Sequence, residues 1–221
     1  MEVPEIVFSA LSPDQVSPVR DSVILLQLLP LSVPVPISLD EEEQLKAKRF
    51  VHTDDRDRFI IRRSTLRNFL SLWTGKSPES IRYLRGHHGK PEFPGLPFRF
   101  NMSHTKGAVV YYFGPDIAGI DIEEIQPSRR FAELEQTQLH HEEKSLCQTD
   151  LDFFRIWTRK EAVLKADGRG ITESLSNLNT AHTHLDYYGV RYSVSTWQSG
   201  NKVISLAVSR EKTVEPRFLL I

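Results

Sequence analysis

Residues 152–171, DFFRIWTRKEAVLKADGRGI, have the apolar density of a helix that packs against something large, yet they carry Lys160, Glu161 and Lys165 among the apolar positions. At about 100° per residue, Phe153, Phe154, Ile156, Trp157, Val163 and Leu164 share one broad arc. Lys160 projects near the middle of that arc, and Glu161 falls between Trp157 and Phe154. Charged groups are seldom buried without partners, so the segment must fold against a surface that supplies them. Glu161 and Lys165 also have the spacing of a surface salt bridge, worth about 0.2–0.5 kcal/mol, which accounts for Lys165 but not for the apolar neighbours of Glu161.

Strands are the natural counterpart. AVVYYF, the turn-forming GPD and IAGIDIE read as two strands joined by a tight turn, and YGVRYSVSTWQ with KVISLAVS as a hairpin across SGN. Farther upstream, VILLQLL (residues 23–29) reads as a buried strand, and the prolines at 30, 34 and 36 argue against a membrane span or signal segment. Ser38 and Glu41 have capping-box spacing before a helix of mixed charge. A second helix starts near Thr53 and stops at Gly75, with Phe59, Leu66, Phe69, Leu70 and Trp73 inward and Arg58 and Arg62 one turn apart on another face. Helices and antiparallel strands thus recur in both halves, which predicts an α+β fold, readable as two related halves, 1–115 and 116–221.

At 221 residues and 39% hydrophobic content the chain can bury a real core, and a net charge of −1 argues against bulk nucleic-acid binding. The first half is slightly basic and the second slightly acidic. A single cysteine, Cys147, excludes an intrachain disulfide and suits a reducing, cytoplasmic setting.

Three places carry candidate chemistry. In GIDIE, strand alternation puts Asp121 and Glu123 on one face and Ile120 and Ile122 on the other. Two close carboxylates repel unless a cation or proton intervenes; Mg²⁺ with phosphate oxygens is one solution, and a solvated polar strand face is the other. The 152–171 helix is the second place. The third is NMSHT, where Ser103 and His104 are expected in a turn before a strand. The pairs His87/His88 and His140/His141 lack the i, i+4 spacing of a helical metal site.

Taken in order, GKP, FNMSHT, GIDIEEI and WTRKEAVLKADGRGI resemble the 4′-phosphopantetheinyl transferases of the longer Sfp/Gsp/HetI type, over roughly residues 39–171. The resemblance implies a pseudo-dimeric monomer of two similar α/β halves with coenzyme A in the cleft between them. The short holo-acyl-carrier-protein synthase type instead resembles one half and trimerises. The implied reaction moves the 4′-phosphopantetheine of coenzyme A to a serine of an apo acyl, polyketide or peptidyl carrier protein, releasing adenosine 3′,5′-bisphosphate. It further implies Mg²⁺ on Asp121, Glu123 and Glu161. Glu161 then takes the serine proton directly or through a metal-bound water, and Lys165 contacts phosphate and assists the leaving group. Lys90, Ser103, His104, Lys46 and Arg58 match positions that contact coenzyme A. Glu43 and Phe59 depart from the family pattern, and Arg62 is the substitute phosphate ligand. The 126–148 segment flanks the surface expected to receive the carrier. Competing readings are a non-catalytic coenzyme A or nucleotide binder and a Mg²⁺-dependent phosphohydrolase. No membrane or nucleic-acid partner is expected.

Overall fold

The computed structural model describes residues 3–9, 12–29, 35–85, 91–93, 95–126, 136–170 and 175–221. Its first sheet contains β1 (Val23–Leu28), β4 (Arg99–His104), β5 (Ala108–Gly114) and β10 (Arg217–Leu220), in the order β10-β1-β5-β4. The second contains β6 (Ala118–Glu124), β7 (His184–Tyr187), β8 (Val190–Ser199) and β9 (Lys202–Val208), in the order β6-β9-β8-β7. A small ladder joins β2 (Leu84–Arg85) and β3 (Pro91–Glu92). Among the described helices are α1 (Glu41–Ala47), α2 (Thr53–Thr74), α3 (His141–Leu146) and α4 (Asp150–Asp167).

The two halves repeat one connectivity. β1, α2, β4 and β5 form a sheet in which the first strand pairs with the last, and β6, α4, β8 and β9 do the same. The α+β class is therefore as the sequence indicates. The crossing element is β10, which returns from the C-terminus to lie parallel to β1.

Strand alternation explains the layering. Ile24, Leu26, Val110 and Tyr112 of the first sheet share a core with Ile120, Ile122, Ile204 and Leu206 of the second. On the other face of the first sheet, Val23, Leu25, Tyr111 and Phe113 pack against Leu66 and Leu70 of α2. β1 is covered on both faces, which is why VILLQL is apolar without alternation. On the outer face of the second sheet, Ala162, Val163 and Leu164 of α4 meet Val194 and Ala207, while Phe153, Phe154 and Ile156 meet Val203.

Three local expectations need correction. β5 and β6 do not pair; GPD passes the chain from one sheet to the other, because both faces of β5 are buried and its edges are already occupied by β1 and β4. NMSHT is strand, not turn: Asn101–His104 pair with Val109–Tyr112, so the hairpin is β4–β5. The capping box of α1 is Asp40/Glu43, since Ser38 is engaged by Asn68 and Ser64 of α2.

α4 is delimited by its own sequence. Thr149 and Asp152 form a capping box at its start, and Gly168 ends it at φ 81°. Its contact with β6 depends on Gly119: a Cβ there would lie 2.1 Å from the carbonyl oxygen of Ala162 and 2.2 Å from the amide nitrogen of Ala166. The helix backbone therefore rests directly on the strand. Lys160, the charge at the middle of the apolar arc, is fully buried and paired with the equally buried Glu143 of α3 at 2.7 Å. Its Nζ also donates to the carbonyls of Leu175 and Leu178. Glu143 in turn accepts from the backbone N–H and hydroxyl of Thr180 and from the N–H of His140.

Gly119→Ala is expected to lower unfolding free energy by about 3 kcal/mol, the upper part of the usual range for overpacking, because the clash is with helix backbone; equilibrium urea denaturation measures it. Lys160→Met is expected to cost about 3–5 kcal/mol by leaving Glu143 buried and unpaired, and an unchanged denaturation midpoint would contradict that role.

Candidate active site

With α4 seated on Gly119, the outer face of β6 presents Asp121 and Glu123 to the helix that carries Glu161 and Lys165. Lys165 Nζ donates to Asp121 Oδ1 at 2.5 Å and to Ser103 Oγ at 2.8 Å, and Ser103 donates to the same Asp121 oxygen at 2.8 Å. Ser103 comes from β4, so these contacts join the two halves. Asn101 reinforces the junction by accepting the N–H of Ile120 at 3.0 Å. Glu124, next along β6, plays a different part, because its carboxylate accepts from Thr105 Oγ1 and the N–H of Gly107 and so pins the β4–β5 turn.

Electrostatically the site has too much negative charge for its burial. Desolvation raises the pKa of Asp121, against the lowering influence of Lys165 and Ser103. Glu123 is pushed up to about 7, first by desolvation and then by Asp121, with Lys165 opposing. Glu161 is raised by desolvation and by Asp121, again with Lys165 opposing. Asp121 Oδ2 is buried and has no hydrogen-bond partner. An orphaned carboxylate oxygen amid carboxyls that resist ionisation suits a hard, oxygen-seeking divalent cation. In the present side-chain arrangement, the three acidic residues do not each bring an oxygen within 4.8 Å of the other two; Lys165 stands among them.

The other predicted residues divide. His104 keeps an edge in solvent at the end of β4. Its pKa is depressed to about 4, by desolvation and then by the charges of Arg62 and Lys165, so it faces cations from both halves. Arg62 is pushed down to about 10 by desolvation and by Arg63, and stays cationic at neutral pH. Lys46 and Arg62 both lie 5.5 Å from the ring centroid of Phe59, and Arg63 lies 5.8 Å from it. The aromatic residue that departs from the family pattern thus gathers three cations. Arg58 pairs with Asp55 at 2.7 Å, and its charge also reaches Arg62. Lys90 lies outside the described residues, as does part of the 126–148 segment.

Sequence reasoning missed Arg63, whose i, i+4 spacing from Phe59 was the available signal. It also missed Arg67, fully buried and held by Asp40, by Glu43 at 2.5 Å and by the carbonyls of Pro78 and Ile81. That contact explains why Glu43, rather than a cation, stands in α1.

Residues 118–211 match the family model of the 4′-phosphopantetheinyl transferase superfamily. The 4′-phosphopantetheinyl transferase AcpT of Escherichia coli (strain K12) is 33% identical over 185 residues, covering 80% of this chain and 83% of AcpT. The chain belongs to the 4′-phosphopantetheinyl transferase superfamily. Within it, the resemblance extends to Sfp of Bacillus subtilis (strain 168), 30% identical over 64% of this chain, and HetI of Nostoc sp. (strain PCC 7120), 32% identical over 62%. The matched segments span 65% of Sfp and 62% of HetI, just under two thirds of their lengths.

The raised pKa of Glu123 sets a pH test in metal-free protein. The folded state holds its proton between about 4.5 and 7 while the unfolded state has released it, so this group's contribution to stability falls as pH rises through that window. Glu123→Gln is expected to flatten that part of the pH–stability curve, measured by thermal denaturation in chelator. A curve identical to wild type would mean Glu123 is not held in this environment.

Proposed function

We propose that this protein transfers the 4′-phosphopantetheine group of coenzyme A to the serine hydroxyl of an apo carrier protein. The serine oxygen forms a bond to the pantetheine-side phosphorus, the pyrophosphate P–O bond breaks, and adenosine 3′,5′-bisphosphate leaves. The observation that carries this reading is the joint of β6 and α4: Asp121, Glu123, Glu161 and Lys165 meet on a helix and strand in backbone contact, in a chain whose relatives are named for this activity.

Asp121, Glu123 and Glu161 would hold Mg²⁺, and the orphaned Oδ2 of Asp121 is the oxygen most in need of it. When bound, the ion supplies neutralisation of charge on the pyrophosphate. Lys165 is freed from Asp121 to meet a phosphate oxygen, where its charge stabilises the departing group. Glu161, beside the ion, would accept the serine proton directly or through a water. His104, Ser103 and Arg62 would contact phosphate between this centre and α2, and Lys46 and Arg63 beside Phe59 would extend that positive surface. The 1–115 half would therefore grip the phosphates and nucleotide, with Lys90 and Arg58 as further contacts. The 116–221 half would supply metal and base, and coenzyme A would lie in the cleft between them.

Such a protein would work as a monomer, because both halves of the site are on one chain, and its single cysteine suits the cytoplasm. Among the described residues no helix is long and apolar enough to cross a membrane. Acyl, polyketide and peptidyl carriers are the candidate acceptors, drawn to the basic surface by the acidic surroundings usual for their serine.

Incubation with coenzyme A, Mg²⁺ and each type of apo carrier is expected to add one phosphopantetheine mass to the carrier serine. Glu161→Gln is expected to slow transfer by about 10²–10⁴-fold while the thermal transition is retained. Tight coenzyme A binding with no mass shift on any carrier would make the protein a binder, and phosphate release without carrier would make it a hydrolase.

A further inference from the structure

We propose that His140, His141 and Glu142, joined by His182, form a surface site for a zinc-class divalent cation, distinct from the carboxylate centre of β6 and α4. One ring nitrogen from each of His140 and His141 and one carboxylate oxygen of Glu142 lie within 4.8 Å of one another. His182 Nε2, from the connection before β7, lies 3.5 Å from Glu142 Oε2. Nitrogen ligands 2.0–2.1 Å from a tetrahedral ion are about 3.3 Å apart, so His140, His141 and Glu142 would close in on the ion by a small side-chain movement, with His140 using Nε2 because its Nδ1 accepts the N–H of Glu142 at 3.4 Å.

The site is built on firm backbone although its ligands reach solvent. His140 is the N-cap of α3, and its N–H donates to Glu143 Oε2 at 2.8 Å. Glu143 is the buried partner of Lys160, and it also binds Thr180, so α3 and the 179–182 segment are tied together from beneath. Asn179 Nδ2 donates to Glu142 Oε2 at 2.7 Å and orients the carboxylate toward that segment. The side chains of His182 and Glu142 are 73% and 48% exposed, which leaves the cation a direct approach.

Donor chemistry distinguishes this centre from the first. Asp121, Glu123 and Glu161 offer only oxygen, the preference of Mg²⁺. Imidazole nitrogens with one carboxylate suit Zn²⁺, Ni²⁺ or Cu²⁺, and a large excess of Mg²⁺ keeps these ions from the all-oxygen site. A bound ion would cross-link α3 to the 179–182 segment and stabilise the folded state by mass action.

The test is a Zn²⁺ titration of protein with ¹⁵N-labelled histidine, in excess Mg²⁺, followed by imidazole ¹H–¹⁵N spectra and by the thermal transition. Resonances of His140, His141 and His182 are expected to shift and saturate near one equivalent, with a rise in Tm. His141→Ala, an exposed substitution, is expected to weaken binding by about tenfold or more and to remove the Tm rise. Perturbation of His104 alone, absence of any shift, or equal Zn²⁺ affinity in wild type and His141→Ala would each overturn the proposal.

Discussion

The contact on which the candidate site depends is between two backbones. At Gly119 the strand has no side chain, and α4 lies so close that a methyl group would overlap the helix main chain at Ala162 and Ala166. That proximity brings Lys165, one residue before Ala166, to Asp121, two residues beyond Gly119. Strand alternation does the rest: with Ile120 and Ile122 facing the core between the sheets, Asp121 and Glu123 must face the helix. Functional geometry and packing are here the same constraint.

Charges play opposite parts on the two sides of α4. Lys160 is surrounded by acceptors and has its carboxylate in Glu143, so burial is compensated and the group joins α4, α3 and the segment around Leu175–Thr180. Around Asp121 compensation is incomplete: three carboxyls share one lysine, and one buried oxygen has no partner. Uncompensated charge of this kind costs stability unless a ligand relieves it, so the second group suits a ligand while the first ties elements of the fold together. A similar contrast holds in α2, where Arg67 is fully bonded inside and Arg63 pairs with Glu43 at 3.7 Å, while Arg62 lies over Phe59.

Much of the fold was legible because it rests on local rules. The stop at Gly75 comes from a glycine at φ 68°, and the β8–β9 hairpin across SGN follows from apolar strands flanking a turn. The pattern misleads where two local solutions compete. AVVYYFGPDIAGIDIE has the pattern of a hairpin, but β1 and β4 take both edges of β5 and β6 pairs with β9 instead. Ser38 and Asp40 can both cap α1, and the choice fell to Asp40 because tertiary contacts with Asn68 and Ser64 engage Ser38.

By itself the sequence determined the α+β class and the acidic pair on one face of β6, which are properties of spacing carried along the chain; its motifs, through their resemblance to a known family, pointed to that family and to the helix that faces the pair. Only the tertiary structure decided that Lys160 is a buried strut, that Ser103 of one half bonds Asp121 of the other, and that Phe59 collects Lys46, Arg62 and Arg63. It likewise decided that Glu142, clustered with the adjacent histidines at the start of α3, pairs with His182. Each of these joins residues far apart in sequence, or depends on which of several available partners burial leaves within reach, and no periodicity encodes that choice.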